Sequence, residues 1–167
     1  MLSDSELFER VQTYASQREL IVSEEKKLGY GSDGTVWQSG NSAIKAVHRR
    51  PNYEVERDSY LRLAEASVHS IGGFAVPRLI DFDDALQVIE MEIVQAPYLI
   101  DFGKVYLDHP PSYWSDPQMR ENIYAEWRER FEEHWEEVAG VMFMLQKYGI
   151  YYVDPRESNI NTQGLEP

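Results

Sequence analysis

The chain has 167 residues, 43% of them hydrophobic and 27% charged, with no cysteine and a formal net charge of −13. That length and balance suit a soluble globular protein of one domain or two small lobes, and the lack of cysteine excludes disulfides, thiolate zinc sites, iron–sulfur clusters and a cysteine nucleophile. Nucleic-acid binding is excluded too, because no dense Lys/Arg cluster exists to replace displaced counterions.

The first ten residues, MLSDSELFER, are acidic and polar, without the basic and apolar regions of a secretory leader. The longest apolar runs, such as Val138–Leu145, fall far short of the ~20 residues that span a bilayer. The expectation is a cytoplasmic protein with no membrane contact.

Ser3 and Glu6 form a capping box, and Leu7, Phe8, Val11, Tyr14 and Ala15 follow at helical spacing, so residues 1–22 read as an N-terminal amphipathic helix. From Ser23 to Val47 the pattern is β: EEKKLGYG leads into a glycine cluster, TVWQS continues as a strand, and SAIKAVH returns after the Gly40-Asn41 turn. Residues 53–66 read as a helix with Val55, Tyr60, Leu61 and Leu63 inward. VPRLIDF and LQVIEMEIV are two further strands around the polar turn Asp83-Asp84. An irregular stretch, 97–117, precedes a long helix over about 118–148, striped by Ile123, Trp127, Phe131, Val138, Met142 and Leu145 and ended by Gly149. Tyr113, Trp114, Tyr124, Trp127 and Trp135 read as packing against the small lobe rather than as a base-stacking platform. His48, His69, His109 and His134 show no metal-ligand spacing.

Gly29, Gly31 and Gly34 form G-x-G-x-x-G, a pattern whose commonest meaning is a turn. A dinucleotide fingerprint needs a helix straight after the glycines, and a Walker loop needs Gly-Lys-Ser/Thr; neither stands here. What remains is a glycine-rich hairpin whose backbone can close over phosphates. Lys45 lies in a strand that otherwise reads as buried, so it needs an anionic partner. The following helix offers Glu54 and Glu56, and Glu56 shares a helical side with Tyr60 and Leu63.

Taken together, Gly29-x-Gly31-x-x-Gly34-x-Val36, Ala43-x-Lys45, Glu56 and VIEMEIV resemble the N-terminal lobe of the protein-kinase-like family, and YYVDPRESNI resembles its catalytic loop. The resemblance implies an α+β fold. Residues 23–95 would be an N-lobe of five antiparallel strands plus a helix, and residues 96–167 a truncated, mostly helical C-lobe with the loop at 151–160. It implies ATP and magnesium as ligands. Lys45 would pair with Glu56 and hold phosphates, Val36 and Ala43 would roof the adenine, Met91 would be the gatekeeper, and the backbone of Glu92 and Val94 would meet the adenine edge. Asp154 would accept the substrate hydroxyl proton, Arg156 would steady the transferred phosphate, and Asn159 would ligate magnesium.

The pattern departs from the family in places. Tyr152 stands for the usual histidine and Val153 for the usual arginine. Only eight residues follow Asn159, too few for the family's second metal-binding aspartate, activation segment and helical platform, so a naturally reduced member or a fragment is expected. Asp101-Phe102-Gly103 has the lettering of the missing metal-binding corner. Its reach is sufficient, because seven residues from Val94 can extend up to ~24 Å. Its direction argues against it, because the chain leaving the hinge normally passes in front of the nucleotide. The string LIDF also occurs at 79–82, in an ordinary strand. Asp101 is therefore the weaker metal candidate beside Asn159. Two functions stay open: a minimal ATP-dependent phosphotransferase, or a pseudokinase-like binding module. The second would act through a homodimer or another protein covering apolar surface left open on the long helix.

Overall fold

The computed structural model describes residues 2–165. Helix α1 (Asp4–Gln17) starts at the expected capping box, with Glu6 N donating to Ser3 Oγ and Ser3 N donating to Glu6 Oε2, and it buries all five residues of the expected stripe. Strands β1 (Lys27–Tyr30), β2 (Gly34–Ser39) and β3 (Ser42–Val47) lead into helix α2 (Arg50–Glu65). Two short strands that the sequence reading missed come next, β4 (Ser70–Ile71) and β5 (Phe74–Ala75), before β6 (Leu79–Asp83) and β7 (Val88–Glu92). The five longer strands form one antiparallel sheet in the order β1-β2-β3-β7-β6. The chain is α+β, as expected.

Strand β3 is central and buried along its whole length. Side chains alternate across a sheet, so its two faces serve different ends. Ile44 and Ala46, with Trp37 and Val88, pack under Leu7, Phe8, Val11 and Tyr14 of α1. Ala43 and Val47, with Ile89 and Met91, join the larger core, which runs on into Leu99, Phe102, Leu145 and Ile160. Lys45 shares parity with Ala43 and Val47 and so points to the larger core's side. The α1 side carries its own buried acid: Glu90 accepts from Tyr14 Oη at 2.9 Å and from Ser42 Oγ at 2.6 Å, which satisfies both carboxylate oxygens.

Gly34 lies opposite Val47 where β2 crosses β3. A Cβ there would meet the Ala46 carbonyl oxygen at 2.2 Å, and backbone cannot yield as a side chain can. Gly34→Ala is expected to lower stability by about 1–3 kcal/mol, read as a lower denaturant midpoint at unchanged slope.

In α2 the inward residues are Tyr53, Glu56, Ser59, Tyr60 and Leu63, whereas Val55 and Leu61 are only partly buried. The stretch 97–117 is less irregular than expected. It holds β8 (Tyr98–Leu99), β9 (Tyr106–Leu107) and a 3-10 turn at Ser112–Ser115. The long helix is broken. Helix α3 (Pro117–Phe131) ends at Glu132, whose φ of 45° is left-handed, and α4 (Trp135–Leu145) starts beyond it. In one straight helix Tyr124 and Trp135 would lie about 16 Å apart along the axis; their rings are 6.2 Å apart, because the chain folds back at the break. Trp114 and Tyr124 complete an aromatic cluster with Tyr151, Trp127 and Trp135. The expected aromatic packing therefore exists, but among the later elements. Trp127, Phe131, Val138, Met142 and Leu145 are buried by the chain itself, contrary to the expected open stripe; Met119 and Phe143 remain exposed.

The last strands are β10 (Ile150–Tyr151), paired with β9, and β11 (Ile160–Asn161). β11 belongs to a second sheet of order β11-β8-β5-β4, in which Leu99 pairs with Ile160 and Tyr98 with Asn161. No helix among the described residues is long and apolar enough to cross a membrane.

Candidate functional site

One cleft of about 580 Å³ lies between the large sheet and the later elements. Every residue to which the resemblance assigned a site role lines it, together with Asp101. Gly29, Gly31, Gly34 and Val36 come from β1, β2 and their turn, and Ala43 and Lys45 from β3. Glu56 comes from α2, and Met91, Glu92 and Val94 from β7 and the residues just after it; Asp101, Asp154, Arg156 and Asn159 lie on the far side. Its volume falls in the range of small-molecule sites. A Cβ at Gly29 or Gly31 would meet nothing within 4 Å, so this loop stands clear of the body.

Lys45 is 6% exposed and its ammonium reaches two carboxylates. Nζ lies 2.8 Å from Glu56, which is 1% exposed, and 3.0 Å from Asp101 Oδ1. Glu54, the alternative partner, pairs instead with Arg50 at the surface. Burial opposes the charge on Lys45, but Asp101 and Glu56 more than reverse this and hold its pKa above the ordinary lysine value. Burial pushes Glu56 up to about 7 against the pull of Lys45, with Asp101 adding to the rise. For Asp101 burial is again the largest influence and acts upward, yet the Lys45 ammonium outweighs it and keeps the carboxyl below its usual range.

Asp101 therefore does not pass outside the cleft, as its expected direction required. Three contacts bring it in. Ile100 N donates to Asn159 O at 2.8 Å, which continues the β8–β11 pairing to the residue before Asp101. Tyr152 Oη donates to the carbonyls of Ile100 at 2.8 Å and Asp101 at 3.0 Å. Phe102, fully buried, packs edge-on between Tyr60 and Tyr152, at centroid distances of 5.0 and 5.9 Å. Asp101 itself adopts a left-handed backbone (φ 64°), and its Oδ1 also accepts from Gly103 N at 3.3 Å. A non-glycine residue in that region is uncommon and marks a position fixed by its surroundings.

Asp154 carries two cations. Oδ1 accepts from Arg156 Nε at 2.8 Å and Oδ2 from Lys104 Nζ at 3.1 Å. The loop behind it is tied at both ends: Asn159 Nδ2 donates to Asp154 O at 3.3 Å, and Arg130 Nη1 to Pro155 O at 2.7 Å. Asn159 is 8% exposed, and its Oδ1 accepts from Ser158 Oγ.

Four residues of this constellation escaped the sequence reading. Lys104 also reaches Asp33 of the glycine loop, at 3.2 Å, and burial's pull against its charge is outweighed by Asp154 and Asp33, which raise its pKa. Tyr152 was noted only as a replacement for a histidine. Phe102 was set aside with its tripeptide. The lettering Asp-Phe-Gly-Lys was the available signal, and the repeat of LIDF argued it away.

No protein-family model matches the chain, and no curated protein matches it.

Proposed function

We propose that this chain is a protein-kinase-like phosphotransferase that binds ATP with magnesium in the cleft and passes the terminal phosphate to a hydroxyl acceptor. The observation that carries the reading is the meeting of Asp101, Lys45 and Glu56 beneath a glycine loop. Asp101 comes in two residues after β8, which is paired with β11, the strand that follows Asn159. Asp101 thus brings a carboxylate, from upstream in the chain, to the cleft that Asn159 also lines.

The donor set suits a hard cation. Asp101 offers a carboxylate and Asn159 an amide oxygen, both lining the same cleft. No group of three or more His, Cys, Asp or Glu side chains among the described residues is placed to hold a metal alone. That fits magnesium, which is commonly bound through one or two carboxylates with phosphates and water completing its shell. Held there, the ion would supply positive charge against the nucleotide's phosphates while the terminal one is transferred.

The chain's own groups do the rest. Lys45, fixed by Glu56, offers the inner positive charge. Met91 stands at the back of the adenine space, with Val36 and Ala43 above it and the backbone of Glu92 and Val94 at its edge. Asp154 accepts the proton of the acceptor hydroxyl as its oxygen bonds to phosphorus and the bond to the ADP oxygen breaks. Arg156 holds Asp154 in place and lies beside the phosphate in transit.

Calorimetric titration with ATP in excess magnesium tests the reading. Saturable one-to-one binding is expected, together with slow ADP release that Asp154→Asn abolishes while binding persists. No heat of binding would overturn it. Binding without turnover, by the wild type, would leave a nucleotide-holding module, a second reading favoured by the two cations that already occupy Asp154.

A further inference from the structure

Lys104 is the one lysine that spans the mouth of the cleft. Its Nζ lies 3.1 Å from Asp154 Oδ2 on one wall and 3.2 Å from Asp33 Oδ2 on the other, and its side chain is 34% exposed. Asp33 is 8% exposed and is held from behind: Asn52 Nδ2 donates to its Oδ1 at 2.8 Å, and His48 N to its carbonyl at 2.9 Å. Lys104 lies three positions after Asp101, so the site has an inner ammonium, Lys45, and an outer one, with Asp101 between them in sequence and in charge. Asp101 is drawn down by both lysines.

The placement has a chemical consequence. Lys104 is shared by two carboxylates, one more than its charge can neutralise. Asp154 is crowded in the opposite sense, with Arg156 and Lys104 both on it. An ammonium divided in this way is readily claimed by an oxyanion of higher charge, because charge-assisted bonds strengthen with the charge of the acceptor. A phosphate group arriving beside Asp154 satisfies that condition. Its binding would take the ammonium from Asp33 and leave Lys104 between the phosphate and Asp154.

We propose that Lys104 is the ligand of the nucleotide's terminal phosphate, exchanging Asp33 for it, so that this lysine and not the glycine loop alone distinguishes a triphosphate from a diphosphate. The proposal rests on the nucleotide reading above and adds a discriminating residue to it. Asp33 is the built-in competitor. It holds the ammonium in line between the loop and Asp154, and it yields the ammonium to the phosphate.

The test titrates the wild type, Lys104→Met, Lys104→Arg and Asp33→Asn with magnesium ADP and with the magnesium β,γ-imido analogue of ATP. A lost charged contact to the terminal phosphate should weaken the triphosphate by about tenfold or more in Lys104→Met, with ADP affected by less than about threefold. Lys104→Arg should restore most of the loss, and Asp33→Asn, which removes the competitor, should tighten the triphosphate. A purely structural strap between loop and base behaves differently, because cutting either end of it has the same effect. Equal loss of ADP and triphosphate in Lys104→Met, or weakening of the triphosphate by Asp33→Asn as by Lys104→Met, would overturn the proposal while the wild type's ADP binding keeps the nucleotide reading intact. Failure of the wild type to bind either nucleotide would overturn both.

Discussion

Replacing Lys45 with methionine should cost about 3–5 kcal/mol of folding stability at neutral pH, because it leaves Glu56 and Asp101 side by side without the ammonium they share. The buried pair is costly to form and more costly to break. Glu56 is 1% exposed, and Asp101 Oδ1 would keep only Gly103 N among its present partners. The loss should depend on pH with a definite sign. Once the ammonium is gone, both carboxyls are pushed upward by burial and by each other, so the variant binds protons more readily folded than unfolded. Its deficit is greatest above neutrality and shrinks as the pH falls and the two groups protonate. In the wild type Glu56 makes a smaller contribution of the same sign. With its pKa raised from 4.5 to about 7, its contribution to stability is full below 4.5 and lost as the pH rises through 7. Asp101 acts oppositely, because its pKa is depressed, and its contribution is lost only in acid. Urea denaturation of the wild type and Lys45→Met across this range, with Lys45→Met/Glu56→Leu as a partial rescue, measures all of this. A deficit independent of pH would show that lost packing, not uncompensated charge, dominates.

Phe102→Ala should cost a similar amount, about 3–5 kcal/mol, for a different reason. The ring is fully buried between Tyr60, four residues beyond Glu56 on α2, and Tyr152, two residues before Asp154. Its removal opens a cavity where the helix bearing Glu56, the segment after β8 that bears Asp101 and the loop bearing Asp154 meet. Packed neighbours recover little of such a loss, because each is held by its own element. Denaturant midpoints give the size of the effect. Phe102→Leu, which keeps much of the volume, should lose well under half as much. If Phe102→Ala lost less than about 1 kcal/mol, the ring could not be what holds these three elements in register.

The same residues show which parts of this structure were legible in its sequence. Helix α1 was legible because its signals are local: the capping box and five inward residues lie within two dozen positions. Lys45 and Glu56 were legible because an ionised side chain in a buried strand demands a partner, and only one nearby helix offers a carboxylate on the right side. Asp101 was misplaced because what positions it is not local. β8 is two residues long, too short to show alternation, and its partner β11 lies some sixty residues downstream. Identical letters then misled. In LIDF at 79–82 the aspartate, Asp81, is tied to Arg18 at 2.6 Å on β6, while in LIDF at 99–102 Asp101 turns left-handed into the cleft. The break at Glu132 had no glycine or proline to announce it. It follows from packing Tyr124 against Trp135, a tertiary contact that helical periodicity does not encode. Lys104 and Asp33 were missed for the same reason, since each acquires meaning only when the glycine loop and the turn after Phe102 are brought together.

The central claim is that Asp101, delivered from upstream, completes a magnesium–nucleotide site with Asn159. The direct measurement is calorimetric ATP binding with and without magnesium, on the wild type and on Asp101→Asn, which keeps the shape and removes the charge. The expected result is that magnesium tightens binding to the wild type by about tenfold or more and that Asp101→Asn loses most of this gain, while its magnesium-free binding stays close to wild type. Wild-type binding that ignores magnesium, or a magnesium gain that survives Asp101→Asn intact, would contradict it.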